Sequence, residues 1–176
     1  MAADLSAKLR SAVKAYAPAP MRGIVERVRA AMAPPPIDNH VGSTYTLQRD
    51  DTDRARLTLV VPNLSPGSTF GGVLTGIDIF LTMVRGLAES RNVDVRVIAT
   101  DANATTDFGV FLKAAEKRGF DPASIETLAI PQRDHAIAVR RDDVFVTFNF
   151  WTTLNIEPLL DAQASAFSRA RLPLIY

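Results

Sequence analysis

Leu57-Thr58-Leu59-Val60-Val61, followed by Pro62-Asn63-Leu64-Ser65-Pro66-Gly67-Ser68-Thr69-Phe70-Gly71-Gly72, decides the fold. The first five residues form a short, nearly continuous apolar run. Such a run is expected of a strand buried on both faces. The next residues are rich in Gly, Pro and Ser, which marks a loop. Residues 72–89 then carry Val73, Ile77, Phe80, Leu81, Val84 and Leu87 at helical spacing. That stripe is the face a helix packs on a sheet.

The alternation continues downstream. Residues 93–100 read as a second strand. Residues 106–118 read as a second helix, with Phe108, Phe111, Leu112 and Ala115 inward and Gly119 as its C-terminal stop. Residues 125–130 give a third, weaker strand, and 136–139 either a short helical turn or a strand. Residues 144–148 are β-branched and aromatic, hence a strand. Residues 153–170 form the last helix. Pro158 falls inside it, so either its first turn starts late or it is kinked. Residues 172–176 open another strand. This alternation gives a parallel sheet with helices on both faces. Right-handed crossovers make it a Rossmann-like, doubly wound α/β domain. A chain that stops on the opening of a central strand is expected to be part of a longer protein.

Upstream, residues 1–33 read as a basic amphipathic helical arm. Leu5, Leu9, Val13 and Tyr16 share one face, as do Ile24, Val28 and Met32, and Pro18 and Pro20 divide the two halves. Its basic residues suit either a helix docked on protein or one lying at the inner face of a cell membrane. Residues 34–55 read as a Pro-rich and polar linker, with the folded domain at 56–176. A net charge of +1 gives no sign of a nucleic-acid partner. The absence of cysteine excludes disulfides and thiolate metal sites, and fits a cytoplasmic protein. Only His40 and His135 could contribute imidazole, so a histidine-rich metal site is excluded and no metal is expected. Asp142-Asp143 precede a strand and read as a solvated turn, paired at the surface with Arg140-Arg141.

In an open parallel sheet, ligands bind beyond the carboxyl ends of the strands, where strand order reverses. Three loops are expected there. The first holds Ser68, Thr69, Phe70, Gly71 and Gly72, with free N–H groups at a helix start that favour an anion. Val73-Leu74 stand where a P-loop needs Lys and Ser/Thr, and G-x-G-x-x-G is absent, so neither common nucleotide motif applies. The second begins at Asp101, which either binds a sugar hydroxyl or caps the next helix. The third holds Asn149, Trp151 and Thr152. Trp151 either stacks on a sugar ring or packs beneath the last helix, with Thr152 or Thr153 as its cap.

Leu57-Thr58-Leu59-Val60-Val61-Pro62, with Phe70-Gly71-Gly72-Val73 opening a helix, resembles the start of GT-B-fold glycosyltransferases. Together with Val144-Phe145-Val146-Thr147 and Trp151-Thr152-Thr153 it is similar to bacterial rhamnosyltransferases of surface polysaccharide or S-layer glycan synthesis. The resemblance implies the amino-terminal, acceptor-side half of a two-domain enzyme. A carboxyl-terminal domain would hold most of a nucleotide-sugar donor, dTDP-rhamnose among them. No bound cofactor is implied. The donor phosphate or sugar would meet Ser68, Thr69, Phe70, Gly71 and Gly72. The glycan acceptor would meet Asp101, Asn149, Trp151 and Thr152. No catalytic base is assigned, and the isolated chain is expected to be inactive. Two other readings stay open at this point. One is a non-catalytic, flavodoxin-like nucleotide- or phosphate-binding module. The other is an interaction domain acting through its basic arm.

Overall fold

The computed structural model describes residues 45–65, 71–89, 91–100, 107–130 and 135–175. The helical arm at 1–33 lies outside the described residues. The elements are β1 Tyr45–Asp50, β2 Arg56–Val61, α1 Gly71–Ala88, β3 Asp94–Ala99, α2 Gly109–Glu116, a 3-10 turn Pro122–Ser124, β4 Ile125–Ala129, β5 His135–Arg140, β6 Asp143–Thr147 and α3 Phe150–Ala166.

The main sheet runs β4-β3-β2-β6, and every pairing in it is parallel. Ile175 extends it by a parallel bridge to Val146. The Thr147 N–H donates to the Ile175 carbonyl at 2.9 Å, and the Ile175 N–H to the Phe145 carbonyl at 3.1 Å. Counted from β2, the order is third, second, first, fourth, fifth. This is the Rossmann order, and the direction of winding reverses between β2 and β6.

Alternation along the strands sorts the side chains into two cores. Leu57, Leu59 and Val61 face Ile77, Phe80, Leu81 and Val84 of α1 and Phe111 and Ala115 of α2. Val60, Ile98 and Phe145 face Ile156, Leu159 and Leu160 of α3, with Tyr45, Ile137 and Val139 of β1 and β5. The stripe expected on α1 is therefore inward, except that Leu87 is exposed at the helix end. Gly119 closes α2 with φ +83°. The Phe120 N–H reaches back across it to the Ala115 carbonyl at 3.1 Å, a left-handed helix stop.

The structure differs from the sequence reading at three places. The stretch read as linker contains β1, which pairs in parallel with β5 as a separate two-stranded sheet. Tyr45 is buried and Leu47 half-buried, while Thr46 and Gln48 are exposed. That period-two pattern stabilises a strand only once a distant partner is present. The segment left open between turn and strand is the strand β5, so the crossover from β4 to β6 carries a strand where such folds usually place a helix. Finally, α3 starts at Phe150, so Pro158 sits well inside it. Proline there cannot donate to the carbonyl of Leu154. Leu154 and Pro158 are both exposed, on the side of the helix open to water.

A buried charge cluster ties the small sheet to the main one at the amino-terminal edge of the strands. Arg56 grips Asp143 with two parallel bonds, Nε to Oδ1 at 3.0 Å and Nη2 to Oδ2 at 2.6 Å. Arg96 donates to Asp143 Oδ2 at 3.3 Å and to Thr58 Oγ1 at 3.1 Å. Both arginines also donate to the Ala138 carbonyl, at 2.8 Å each. Arg56, Arg96 and Asp143 are all buried. The solvated turn expected at Asp142-Asp143 is thus half right. Asp142 is exposed and pairs with Arg169, but Asp143 is the centre of the cluster. Arg140 does not pair with those side chains. It spans Asp50 and Asp94, at 2.9 and 2.6 Å. Burial, then the neighbouring Arg56, pushes Arg96 down to about 10, still cationic at neutral pH.

This arrangement makes stability depend on acid. The hydrogen bond from Thr52, joined by Arg140, holds the Asp50 carboxyl well below the usual carboxylate range. Burial works against ionisation of Asp94, but the bonds from Arg140 and Arg54 prevail and lower it. Both groups therefore bind protons more readily in the unfolded chain. Their contribution is fully present above the unfolded carboxyl value of about 4 and is lost as pH falls through the folded values. The urea midpoint is expected to hold steady from neutral pH to about 5 and to fall below about 4. Asp50→Asn should flatten that fall. A midpoint that ignores pH down to about 3 would contradict the assignment.

Candidate functional site

Because β2, β3 and β6 are parallel neighbours, the loops that follow them open on one edge of the sheet. The loop after β2 begins with Asn63, whose Oδ1 accepts from the N–H and the hydroxyl of Ser65, both at 2.7 Å. This local turn and the buried Leu64 direct the chain away from the strand. Ser68, Thr69 and Phe70 lie outside the described residues, as does Asp101. Gly71 and Gly72 are the first two residues of α1. The first N–H groups of a helix have no partner within it. The first turn of α1 carries no acidic residue to answer them. Gly72 is exposed, and a Cβ added there would meet nothing within 4 Å.

The loop after β6 is short, and its polar residues are spent on starting α3. Asn149 caps the helix, its Oδ1 accepting from the Trp151 N–H at 2.8 Å. Thr152 is buried, and its hydroxyl donates to the Asn149 carbonyl at 2.8 Å. The Thr153 hydroxyl reaches the same carbonyl at 3.0 Å and contacts the Thr147 hydroxyl at 2.8 Å. These bonds fasten the end of β6 to the first turn of α3. Asn149 and Thr152, expected to face the acceptor, thus commit an amide oxygen and a hydroxyl to the helix start. Trp151 does not pack beneath α3: it is 46% exposed and lies against Phe150, 57% exposed, with ring centroids 5.1 Å apart and planes tilted by 60°.

Two residues of this edge escaped the sequence reading. One is Phe150, which is exposed beside Trp151. The other, Phe148, approaches α1 closely at Gly76, where an added Cβ would come within 2.8 Å of its ring. A glycine in the middle of an otherwise apolar helix is the signal that would have pointed to such a close approach. Phe148 thereby links the wall formed by α1 to the wall formed by α3. At the other edge of the sheet, the buried arginines have all their charges answered by Asp143 and Glu126. Among the described residues, no group of three or more His, Asp or Glu is arranged to hold a metal ion. No helix among them is long and apolar enough to cross a membrane.

Residues 56–176 match the family described as WsaF, N-terminal domain. The chain belongs to this family. The match begins at the first residue of β2 and takes in the whole Rossmann sheet with the three loops of its carboxyl edge. It leaves out β1. No curated protein matches the chain. Membership makes this a glycosyltransferase-related amino-terminal domain.

Proposed function

We propose that this domain forms the acceptor-side wall of a GT-B-type cleft. The enzyme transfers a sugar, with rhamnose the leading candidate, from a nucleotide-sugar donor to a glycan acceptor in surface polysaccharide synthesis. The observation that carries this reading is the switch point between β2 and β6. There the amino terminus of α1 and the exposed Phe150–Trp151 pair open on one edge of the sheet.

Each part has a task in glycosyl transfer. As the bond to the donor breaks, negative charge builds on the departing diphosphate. Free N–H groups at a helix start, with the positive end of its dipole, stabilise such charge. Gly71 and Gly72 let that group approach the backbone closely. The aromatic pair orients the acceptor through its apolar C–H surface. A second, carboxyl-terminal domain supplies the rest of the donor site and closes the cleft, so the amino-terminal wall alone does not turn over. Nucleotide sugars are used in the cytoplasm, where this reading places the reaction. A module that binds phosphate alone has no task for an exposed aromatic pair, and the exposure of Phe150 and Trp151 favours the transferase reading over it.

The test is a donor screen of the full-length enzyme, with glycan acceptor present. Acceptor-dependent release of nucleoside diphosphate is expected, with dTDP-rhamnose the best donor. No release from any nucleotide sugar would sink the transferase reading. Strong release from a different sugar would sink only the rhamnose assignment.

A further inference from the structure

The start of α3 offers more apolar surface than one sugar ring can cover. Phe150 and Trp151 are adjacent in sequence and both about half exposed, with ring planes 60° apart. A pyranose has one flat apolar face at a time to give, so a single ring can lie on only one of these two planes. Leu154, 41% exposed, follows Phe150 by four residues and Trp151 by three. That spacing places it beside them on the same helix face. The three form a strip along the helix and not an isolated pocket.

The strip is held in place before anything binds. Asn149 fixes the backbone at Trp151, and the Thr147–Thr153 contact anchors the turn to β6. Such preorganisation reduces the ordering cost of binding. Further along the helix Glu157 and Asp161 share the single cation Arg171, which leaves no free cation there. The strip therefore offers aromatic faces without a free counter-charge among the described residues that flank it on α3.

We propose that Phe150, Trp151 and Leu154 form a two-ring acceptor subsite, one that reads at least two consecutive sugar rings of a neutral glycan. This rests on the acceptor-side reading given above. Trp151 takes one ring and Phe150 the next, with Leu154 extending the contact. The site thereby selects a growing chain over a free monosaccharide, and over an acidic chain whose charge would go unanswered.

The only tryptophan in the chain makes this directly measurable. The 176-residue protein is titrated with methyl α-rhamnopyranoside and with the methyl glycosides of rhamnose di- and trisaccharides. Trp151 fluorescence and calorimetry report binding. The disaccharide is expected to bind roughly tenfold more tightly than the monosaccharide, the size of one added aromatic contact. Phe150→Ala should lower disaccharide affinity roughly tenfold, to about that of the monosaccharide, and cost the monosaccharide distinctly less. Circular dichroism confirms that the variant is folded. Equal affinity for one ring and two would overturn the two-ring subsite while leaving the acceptor-side reading intact. So would an equal loss for both ligands in Phe150→Ala. No binding of any of the three glycosides, or of the matching gluco, galacto and manno series, to the folded protein would overturn the acceptor-side reading itself.

Discussion

Replacing Asp143 by alanine is expected to cost about 3–5 kcal/mol of stability, the range seen when one partner of a buried ion pair is removed. Net stabilities of domains are only about 5–15 kcal/mol, so the variant should unfold at far lower urea or not fold at all. The cause is charge left without an answer. Arg56 and Arg96 are 2% and 0% exposed, and among the described residues Asp143 is the only fully buried acid that faces them. Glu126 remains, bonded directly to Arg56 Nη1 at 2.8 Å, but its side chain is nearly half exposed and water screens its charge. The Arg140 N–H would lose its acceptor as well. Breaking the cluster differs from replacing it. A triple variant with Arg56→Met, Arg96→Met and Asp143→Leu removes all three charges together. It should lie much closer to the parent, because buried ion pairs seldom stabilise relative to well-packed apolar groups. Urea midpoints of the two variants measure the difference. A loss under about 1 kcal/mol in Asp143→Ala would mean that the cluster does not hold the two sheets together.

Gly72→Val in the full-length enzyme is expected to abolish transfer and leave the fold intact. The structure separates these two effects. Gly72 is exposed at the second position of α1, and a Cβ there has open space around it. Packing against the described residues therefore predicts no loss. Gly72→Ala should even stabilise the helix by about 0.5–1 kcal/mol, the ordinary cost of glycine relative to alanine. Among the described residues nothing calls for glycine at this position. Under the proposed function the requirement comes from the donor phosphate, which needs the bare backbone. Donor turnover and thermal unfolding, measured together, test both halves. Wild-type turnover in Gly72→Val would remove α1 from the cleft.

Much of this domain could be read from one chain. The strand at β2, the helix α1 and the strand at β6 were visible because their burial repeats locally, with a period near 3.6 in the helix and continuous apolar runs in the strands. Parallel pairing and right-handed crossovers then brought the loops after β2, β3 and β6 to one edge. Other features carried no local signal. Tyr45 and Leu47 sit in a polar stretch, and they become a strand only through pairing with β5. Trp151 has the same composition around it whether buried or exposed. Its exposure follows from Asn149 capping α3 earlier than Thr152 or Thr153 would have done. That shift turns the helix so that Thr152, Asn155 and Ile156 face inward.

The sequence by itself determined the α/β class and the alternation of strands and helices that builds the main sheet. Each of these follows from short-range periodicity combined with the handedness of L-amino-acid chains. Only the tertiary structure decided that Asp143 is a buried counter-ion and not a solvated turn. The reason is electrostatic. A carboxylate is tolerated in the interior only where cations come to meet it. Here they come from Arg56 and Arg96, on strands far away in sequence. The same holds for the aromatic strip of Phe150, Trp151 and Leu154. Periodicity shows that α3 has an apolar side, but only the packed domain shows that it has a second one left facing water.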